Sequence, residues 1–356
     1  MIIYINGRFL TQSITGVQRY AIELVKELDQ ILSEQNVEHE YIILTPKNAV
    51  NIGLNKITQK TVGNLKGQFW EQLELPFYSK GCLLINFCNL SPLFKRNQII
   101  TIHDCAVFEE FNNLSTLFKL WYQVNYKVFK KRFKKVITVS KFSEKRIQEF
   151  NIVTQDKIRV IYEGKEHLEA IEEQPDSLKK YDIESMPFIL AVSSMNPTKN
   201  FKGIVQALAY LDSTSFNVVI AGGTNPKVFG SSELKFPENV KHIGYVSDAE
   251  LKQLYKKATG FIYPSLYEGF GLPPLEAMSM GCPVIVSDAA SLPEVCEEAA
   301  LYCNPMDASD IADKILRLTE DSCLREELSI RGIAQSKKFS WREAAFETKK
   351  IIESSL

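Results

Sequence analysis

The chain has 356 residues, with 42 Lys and Arg against 43 Asp and Glu and a formal charge of −1, a balance that excludes a global electrostatic partner such as nucleic acid. That length exceeds one ordinary hydrophobic core and predicts two domains of about 150–200 residues each. The seven cysteines are odd in number, lack any Cys-x-x-Cys spacing and sit mostly in apolar runs, so they read as reduced thiols of a cytoplasmic protein.

Ile2 to Asn6 reads as a buried strand, followed by a loop from Gly7 to Gly16 and a helix from about Val17 to Ser33. Tyr41 to Thr45, Thr58 to Val62 and Cys82 to Phe87 are further expected strands, and residues 69–81 (FWEQLELPFYSKG) are expected to be helical until Pro76 interrupts them. The apolar strand Gln98 to Ile102 ends in His103-Asp104. Open α/β sheets bind ligands beyond the carboxyl ends of their strands, which is where that pair falls.

Ser115 to Lys135 has helical spacing, with aromatics on one side and Lys127, Lys130, Lys131, Arg132, Lys134 and Lys135 towards its end. This is either a solvated basic face or a surface over residues 119–146 that docks on an anionic membrane. No apolar run approaches the ~18 residues of a membrane span, so a cytoplasmic protein is expected, peripheral on the inner face if that helix docks. Val136 to Val139 is a strand, Ser143 opens a helix and Ile158 to Tyr162 closes the first half. The polar segment 164–186 is the expected boundary.

The second half restarts with a strand from Phe188 to Ser193, then MNPTKN, a helix from about Phe201 to Leu211, and a strand from Phe216 to Ala221 ending in Gly222-Gly223. Val240 to Ile243 is a strand, after which Ser247 caps a helix with Glu250 three residues later. Residues 263–288 (YPSLYEGFGLPPLEAMSMGCPVIVSD) carry the strongest signal: strand, turn with Gly269 and Gly271, helix opened by Pro273-Pro274, stop at Gly281, strand. Without a Cβ at Gly269 and Gly271, the amides around Phe270 and Leu272 can approach a ligand at the positive end of a helix. Glu268 and Glu276 bracket that turn. Four more helices are expected after Asp288. The alternation predicts parallel sheets with right-handed crossovers.

The composite resembles the EX7E signature of retaining glycosyltransferases with the GT-B fold, in particular glycosyltransferase family 4. ITGVQRY, His103-Asp104, ITVSKFS, PTKN, GYVSD and FSW extend the likeness along the chain. It implies an α/β architecture of two Rossmann-like doubly wound parallel-sheet domains facing a central cleft, with the C-terminal helix crossing back to the N-terminal domain. The domains are then residues 1–165 on the acceptor side, 187–338 for the nucleotide sugar, and 339–356 as the returning helix. Residue by residue, the resemblance implies Lys199 on the donor phosphates and Glu276 on the ribose hydroxyls. It places Glu268 and His103 by the transferred sugar, and Gly16 near phosphate or sugar. Val246 would border the base, Gly222 is a further nucleotide-sugar contact, and Arg19 and Asp104 are further candidates. Family members often carry an arginine on the phosphates where this chain has Ser193 and Ser194, so one charge is missing. Either hydroxyl and amides replace it or Arg19 helps.

The activity implied is metal-independent transfer of a hexosyl or deoxyhexosyl residue, with retention, from a nucleotide sugar to a glycan or lipid-linked glycan in surface polysaccharide biosynthesis. No cofactor is expected and no zinc-like spacing occurs. A nucleotide-sugar epimerase of the same architecture and a catalytically silent scaffold stay open beside it.

Overall fold

The computed structural model describes all residues except 36–37, 110–114, 130–132, 184, 193–195, 212–214 and 223–236. The expected Ser193, Ser194, Gly223, Lys130, Lys131 and Arg132 therefore lie outside the described residues. The chain divides into two units. Unit 1 comprises Met1–Glu109, the stretch ending at Gly164, and Ser340–Leu356; unit 2 comprises Lys165–Phe339.

Unit 1 begins with β1 (Ile2–Asn6), α1 (Gly16–Glu34), β2 (Glu40–Thr45) and β3 (Thr58–Thr61). Then come α2 (Gly67–Phe69), a π-turn (Trp70–Glu74) and α3 (Leu75–Tyr78), before β4 (Leu83–Asn86) and β5 (Gln98–Thr101). After α4 (Thr116–Phe129) come β6 (Lys135–Thr138), α5 (Lys141–Glu149) and β7 (Ile158–Val160). The strands pair in parallel in the order β3-β2-β1-β4-β5-β6-β7, with Ile3 opposite Tyr41 on one side and Leu83 on the other. Parallel strands are covered on both faces, which is why Ile3, Ile5, Ile43, Leu84, Ile99 and Ile137 are all buried.

Unit 2 holds α6 (Glu166–Glu169), β8 (Phe188–Val192), α7 (Phe201–Leu208), β9 (Asn217–Ala221), β10 (Val240–Gly244), α8 (Asp248–Lys257), β11 (Gly260–Tyr263), α9 (Leu272–Ser279), β12 (Val284–Ser287), α10 (Leu292–Cys296), β13 (Ala300–Cys303), α11 (Ala308–Glu320) and α12 (Ser322–Ser336). Its parallel sheet runs β10-β9-β8-β11-β12-β13 over a core that includes Ile189, Ile204, Val218, Ile262, Ile285 and Ile315. The capping box of α8 forms as its sequence predicts: the Ser247 side chain accepts from the Glu250 amide while the Glu250 carboxylate accepts from the Ser247 amide. Segment 164–186 is no bare linker, since Leu168, Leu178 and Ile183 are buried in unit 2.

The chain then returns to unit 1 as α13 (Trp341–Glu353), which packs along α1 and buries Trp341 with its ring 5.8 Å from that of Tyr20. A Cβ on Gly164 would lie 2.0 Å from the Trp341 nitrogen, so the points where the chain leaves and re-enters unit 1 run side by side and only glycine fits there.

Three local expectations need correction. Helix persists past Pro76, because the Leu75 amide donates to the Trp70 carbonyl five residues back and the π-turn places Pro76 in a fresh first turn, where no N–H is needed. Ser140, not Ser143, caps α5; it accepts from the Ser143 amide at 3.0 Å, which leaves the Ser143 hydroxyl to donate to the His103 carbonyl. Strand β13 was not anticipated, its ALYC run being short and only partly buried.

Candidate active site

In unit 2 the chain goes outward from β8 through β9 to β10 and then starts again on the other side of β8 with β11. Ligands of open α/β sheets bind where the order reverses in this way, beyond the strand ends. Lys199 follows β8, and Tyr263 ends β11. The Lys199 Nζ donates to Glu268 Oε1 at 2.6 Å and to the Tyr263 hydroxyl at 2.8 Å. Burial pulls the Lys199 pKa down, but Glu268 and Tyr263 more than reverse it and hold the ammonium charged above the usual lysine range.

The loop bearing Glu268 is fixed from three directions. Ser265 Oγ donates to Glu268 Oε1 at 2.5 Å and to the Thr198 carbonyl at 2.8 Å, and the Leu266 amide donates to the same carbonyl at 2.7 Å. Ser291 Oγ donates to the carbonyls of Glu268, at 3.1 Å, and Phe270, at 2.7 Å. Gly271 is the N-cap of α9 with φ +112°, and a Cβ there would come within 2.7 Å of Leu292 Cδ2. Pro273 and Pro274 remove two donors from the first turn, so the amides of Gly271 and Leu272 are the ones this helix end can offer an anion.

Glu276, inside α9 and buried, receives the Tyr255 hydroxyl on Oε2 at 3.0 Å and lies with Oε1 2.8 Å from His167 Nε2. A carboxylate only accepts, so His167 Nε2 carries the hydrogen. Each oxygen keeps a further lone pair. His167 was not singled out in the sequence, because its segment has no periodicity; Tyr255 and Tyr263 looked like ordinary apolar positions of α8 and β11. At the ends of β9 and β10, the Gly222 amide donates to the Gly244 carbonyl at 2.8 Å and His242 Nε2 stands 3.2 Å from the Gly222 carbonyl, with Val246 buried just beyond. Gly269 and Phe270 complete the turn. Lys199, Glu268, Gly269, Phe270, Gly271 and Leu272 thus converge, with Glu276 further along α9 and Gly222 and Val246 on neighbouring strand ends.

The remaining candidates belong to unit 1. His103 is buried at the end of β5 with Nε2 2.8 Å from the Phe87 carbonyl and Nδ1 3.6 Å from Glu163 Oε1, and Tyr20 packs edge-on against its ring at 4.6 Å. A carbonyl only accepts, so this Nε2 is protonated. Asp104 accepts from the Ala106 amide at 2.8 Å. Gly16 opens α1 in open space, and Arg19 pairs with Glu23 at 3.7 Å. Of the basic cluster near α4, Lys134 donates to the Ser355 carbonyl and Lys135 to that of Asp156. Among the described residues, no three His, Cys, Asp or Glu side chains gather as a metal site requires, and no helix is long and apolar enough to cross a membrane.

Residues 173–335 match the family of glycosyl transferases group 1. The chain is 38% identical over 178 residues to O-antigen chain mannosyltransferase B of Escherichia coli, covering 48% of this chain and 47% of that protein. It is 35% identical over 216 residues to O-antigen chain mannosyltransferase RfbU of Salmonella typhimurium, covering 60% and 58%. It therefore spans about half the length of the curated relatives it matches. Among solved structures, sucrose-phosphate synthase from Thermosynechococcus elongatus superposes with a TM-score of 0.76 at 18% identity over 99% of this chain and 98% of that one. WaaG, a glycosyltransferase involved in lipopolysaccharide biosynthesis, gives 0.75 at 14% identity over 99% of both. With its two parallel-sheet units, the chain has the GT-B fold.

Proposed function

We propose that this protein is a retaining, metal-independent glycosyltransferase that moves a hexosyl residue from a nucleoside diphosphate sugar to a lipid-linked glycan during surface polysaccharide assembly. The observation that carries the reading is the clamp of Lys199 between Glu268 and Tyr263 at the switch point of unit 2, beside a glycine-opened helix end. A mannosyl donor is favoured, because several relatives are mannosyltransferases by name.

In this reading the C1–phosphate bond of the donor breaks as charge builds on the leaving diphosphate, and Lys199 with the amides of Gly271 and Leu272 supplies positive potential there. The acceptor oxygen bonds to C1 on the same face, and its proton passes to a departing phosphate oxygen, so no enzymic base is required. Glu276 takes the ribose hydroxyls on lone pairs that His167 and Tyr255 leave available. His103 reaches a sugar only by giving up the Phe87 carbonyl. Arg19, held by Glu23, is a poor substitute for the arginine missing near residue 193. Peripheral membrane docking is supported by exposed Leu117, Leu120 and Val124 on α4 and by Phe69, Leu73 and Phe77, a ridge at four-residue spacing standing 72%, 62% and 73% exposed.

Thermal-shift titration against GDP, UDP, dTDP and ADP tests the reading without the acceptor. A ligand at a hundredfold over its Kd adds about 2.7 kcal/mol of stability. GDP is expected to shift the wild type, and Glu276→Gln to lose that shift. No shift with any nucleotide refutes the transferase assignment.

A further inference from the structure

Two side chains of unit 2 that take no part in the bond changes described above converge on the Glu276 carboxylate: His167 of α6 and Tyr255 of α8. Helix α6 has only four residues and is held by Lys252 of α8, a buried lysine whose Nζ donates to the carbonyls of Glu169 at 3.1 Å and Ile171 at 2.6 Å. A cation there satisfies carbonyls that the end of a short helix leaves open. Tyr255 follows Lys252 by three residues and shares its face of α8. One face of α8 therefore anchors α6 through Lys252 and donates to Glu276 through Tyr255.

The Tyr255 ring is fully buried and stands edge-on to Phe261 at 5.5 Å. Burial first, and then the neighbouring Glu276 charge, hold its phenol well above the usual tyrosine range, so it stays a donor. The His167 side chain is 2% exposed against 9% for that of Glu276. The opening thus belongs to the carboxylate: a ligand meets Glu276, with the histidine and the tyrosine behind it.

Among the described residues these two are the donors to the carboxylate, one on each oxygen. Each oxygen has two in-plane lone pairs, so one remains on each. The last torsion of a glutamate is otherwise broad, and pinning both oxygens fixes it. Two acceptor positions are left side by side, sharing one charge. Their complement is a vicinal diol, whose hydroxyls both donate. A ligand with one hydroxyl in that place leaves a mostly buried charged acceptor unanswered, and sites built on buried polar groups reject such analogues strongly. Given the transferase reading, on which this inference rests, we propose that His167 and Tyr255 are positioning residues that lock Glu276 to read both ribose hydroxyls together. They thereby restrict the donor to ribonucleoside diphosphate sugars and exclude thymidine diphosphate sugars, which lack the 2′-hydroxyl.

The test is calorimetric titration of the full chain with four pairs of nucleotides that differ only at the 2′ position: GDP and 2′-deoxy-GDP, UDP and 2′-deoxy-UDP, ADP and 2′-deoxy-ADP, ribothymidine diphosphate and dTDP. Wild type should bind at least one ribose form, and its deoxy partner roughly tenfold or more weakly, as loss of a hydrogen bond to a charged group implies. Tyr255→Phe keeps the ring and His167→Phe fills the space of the imidazole. Each should weaken the ribose form more than its partner and lower their ratio roughly threefold or more, whereas His167→Gln, which supplies a donor again, should restore it. A loss of packing alone weakens both members of a pair alike and leaves the ratio where it was. Equal affinity within the pair that wild type binds overturns the inference, and so does a ratio unchanged in either phenylalanine variant; the nucleotide still binds in both cases, and the transferase reading stands. A wild type that binds none of the eight nucleotides refutes that reading and the inference with it.

Discussion

Replacing Lys199 by Met removes the ammonium and keeps the length of the stem. Glu268 then retains only the Ser265 hydroxyl at 2.5 Å on its Oε1, in place of a charged donor at 2.6 Å. Breaking a fully buried ion pair costs about 3–5 kcal/mol, and exposed pairs contribute about 0–1. With the two side chains 20% and 11% exposed, the loss is expected near 2 kcal/mol. Glu268→Gln should cost a similar amount, and the double variant should recover about 1–2 kcal/mol of the sum, the coupling a contacting pair shows. The three tryptophans, Trp70, Trp121 and Trp341, all fall in unit 1, so their fluorescence is blind to this change. Near-UV circular dichroism of the tyrosines during urea unfolding is the suitable probe. The Lys199 pKa is raised on folding, so its contribution is complete below the unfolded value of about 10.4 and lost only as pH rises through the folded one. The gap between wild type and variant should thus stay flat across neutral pH. Single-variant effects that simply add, within about 0.5 kcal/mol, refute the clamp.

Gly164→Ala sets a Cβ against the Trp341 backbone and should cost about 3 kcal/mol or more, lowering the fluorescence-detected melting of unit 1 by roughly 5–10 °C; an unchanged transition rejects the close approach. At Glu250, burial favours the neutral form, but the Lys180, Ser247 and Tyr181 hydrogen bonds outweigh it and hold the pKa down to about 2. Glu250→Gln should cost about 1 kcal/mol at neutral pH, and the deficit should fade as pH drops from about 4.5 towards 2; a pH-independent deficit assigns the effect to packing. Phe69→Ser/Leu73→Ser/Phe77→Ser should reduce co-sedimentation with anionic liposomes several-fold, and equal sedimentation of the triple variant removes that ridge from membrane contact.

Where one residue type dictates local geometry, the sequence already contains the answer. Gly281 stops α9 with φ +76°, the two prolines open it, and Ser247 with Glu250 caps α8. The strands of both sheets were legible for the same reason, since burial on both faces demands unbroken Ile, Leu and Val. What resisted reading depends on distant partners. His167 is 109 positions from Glu276 and sits in a charged segment with no pattern of its own. The π-turn that lets the helix continue past Pro76 follows from no propensity, and β13 is an edge strand whose partner supplies what its four residues lack. Lys199 and Glu268 were both candidates, but their direct pairing across 69 positions appears only once strand order brings them together.

The return of α13 to unit 1 has a consequence for how the chain acquires its structure during synthesis. Unit 1 is discontinuous in sequence: the helix whose Trp341 packs against Tyr20 of α1 follows all of unit 2. Joining Gly164 to Ser340 across an unstructured insert of that size costs about 4–5 kcal/mol in loop closure. A unit 2 that has already folded holds those two chain positions side by side, as the Gly164–Trp341 contact requires, and removes most of that cost. A folded unit 2 therefore favours completion of unit 1. A short Gly-Ser bridge from residue 164 to residue 340 would serve the first unit equally well.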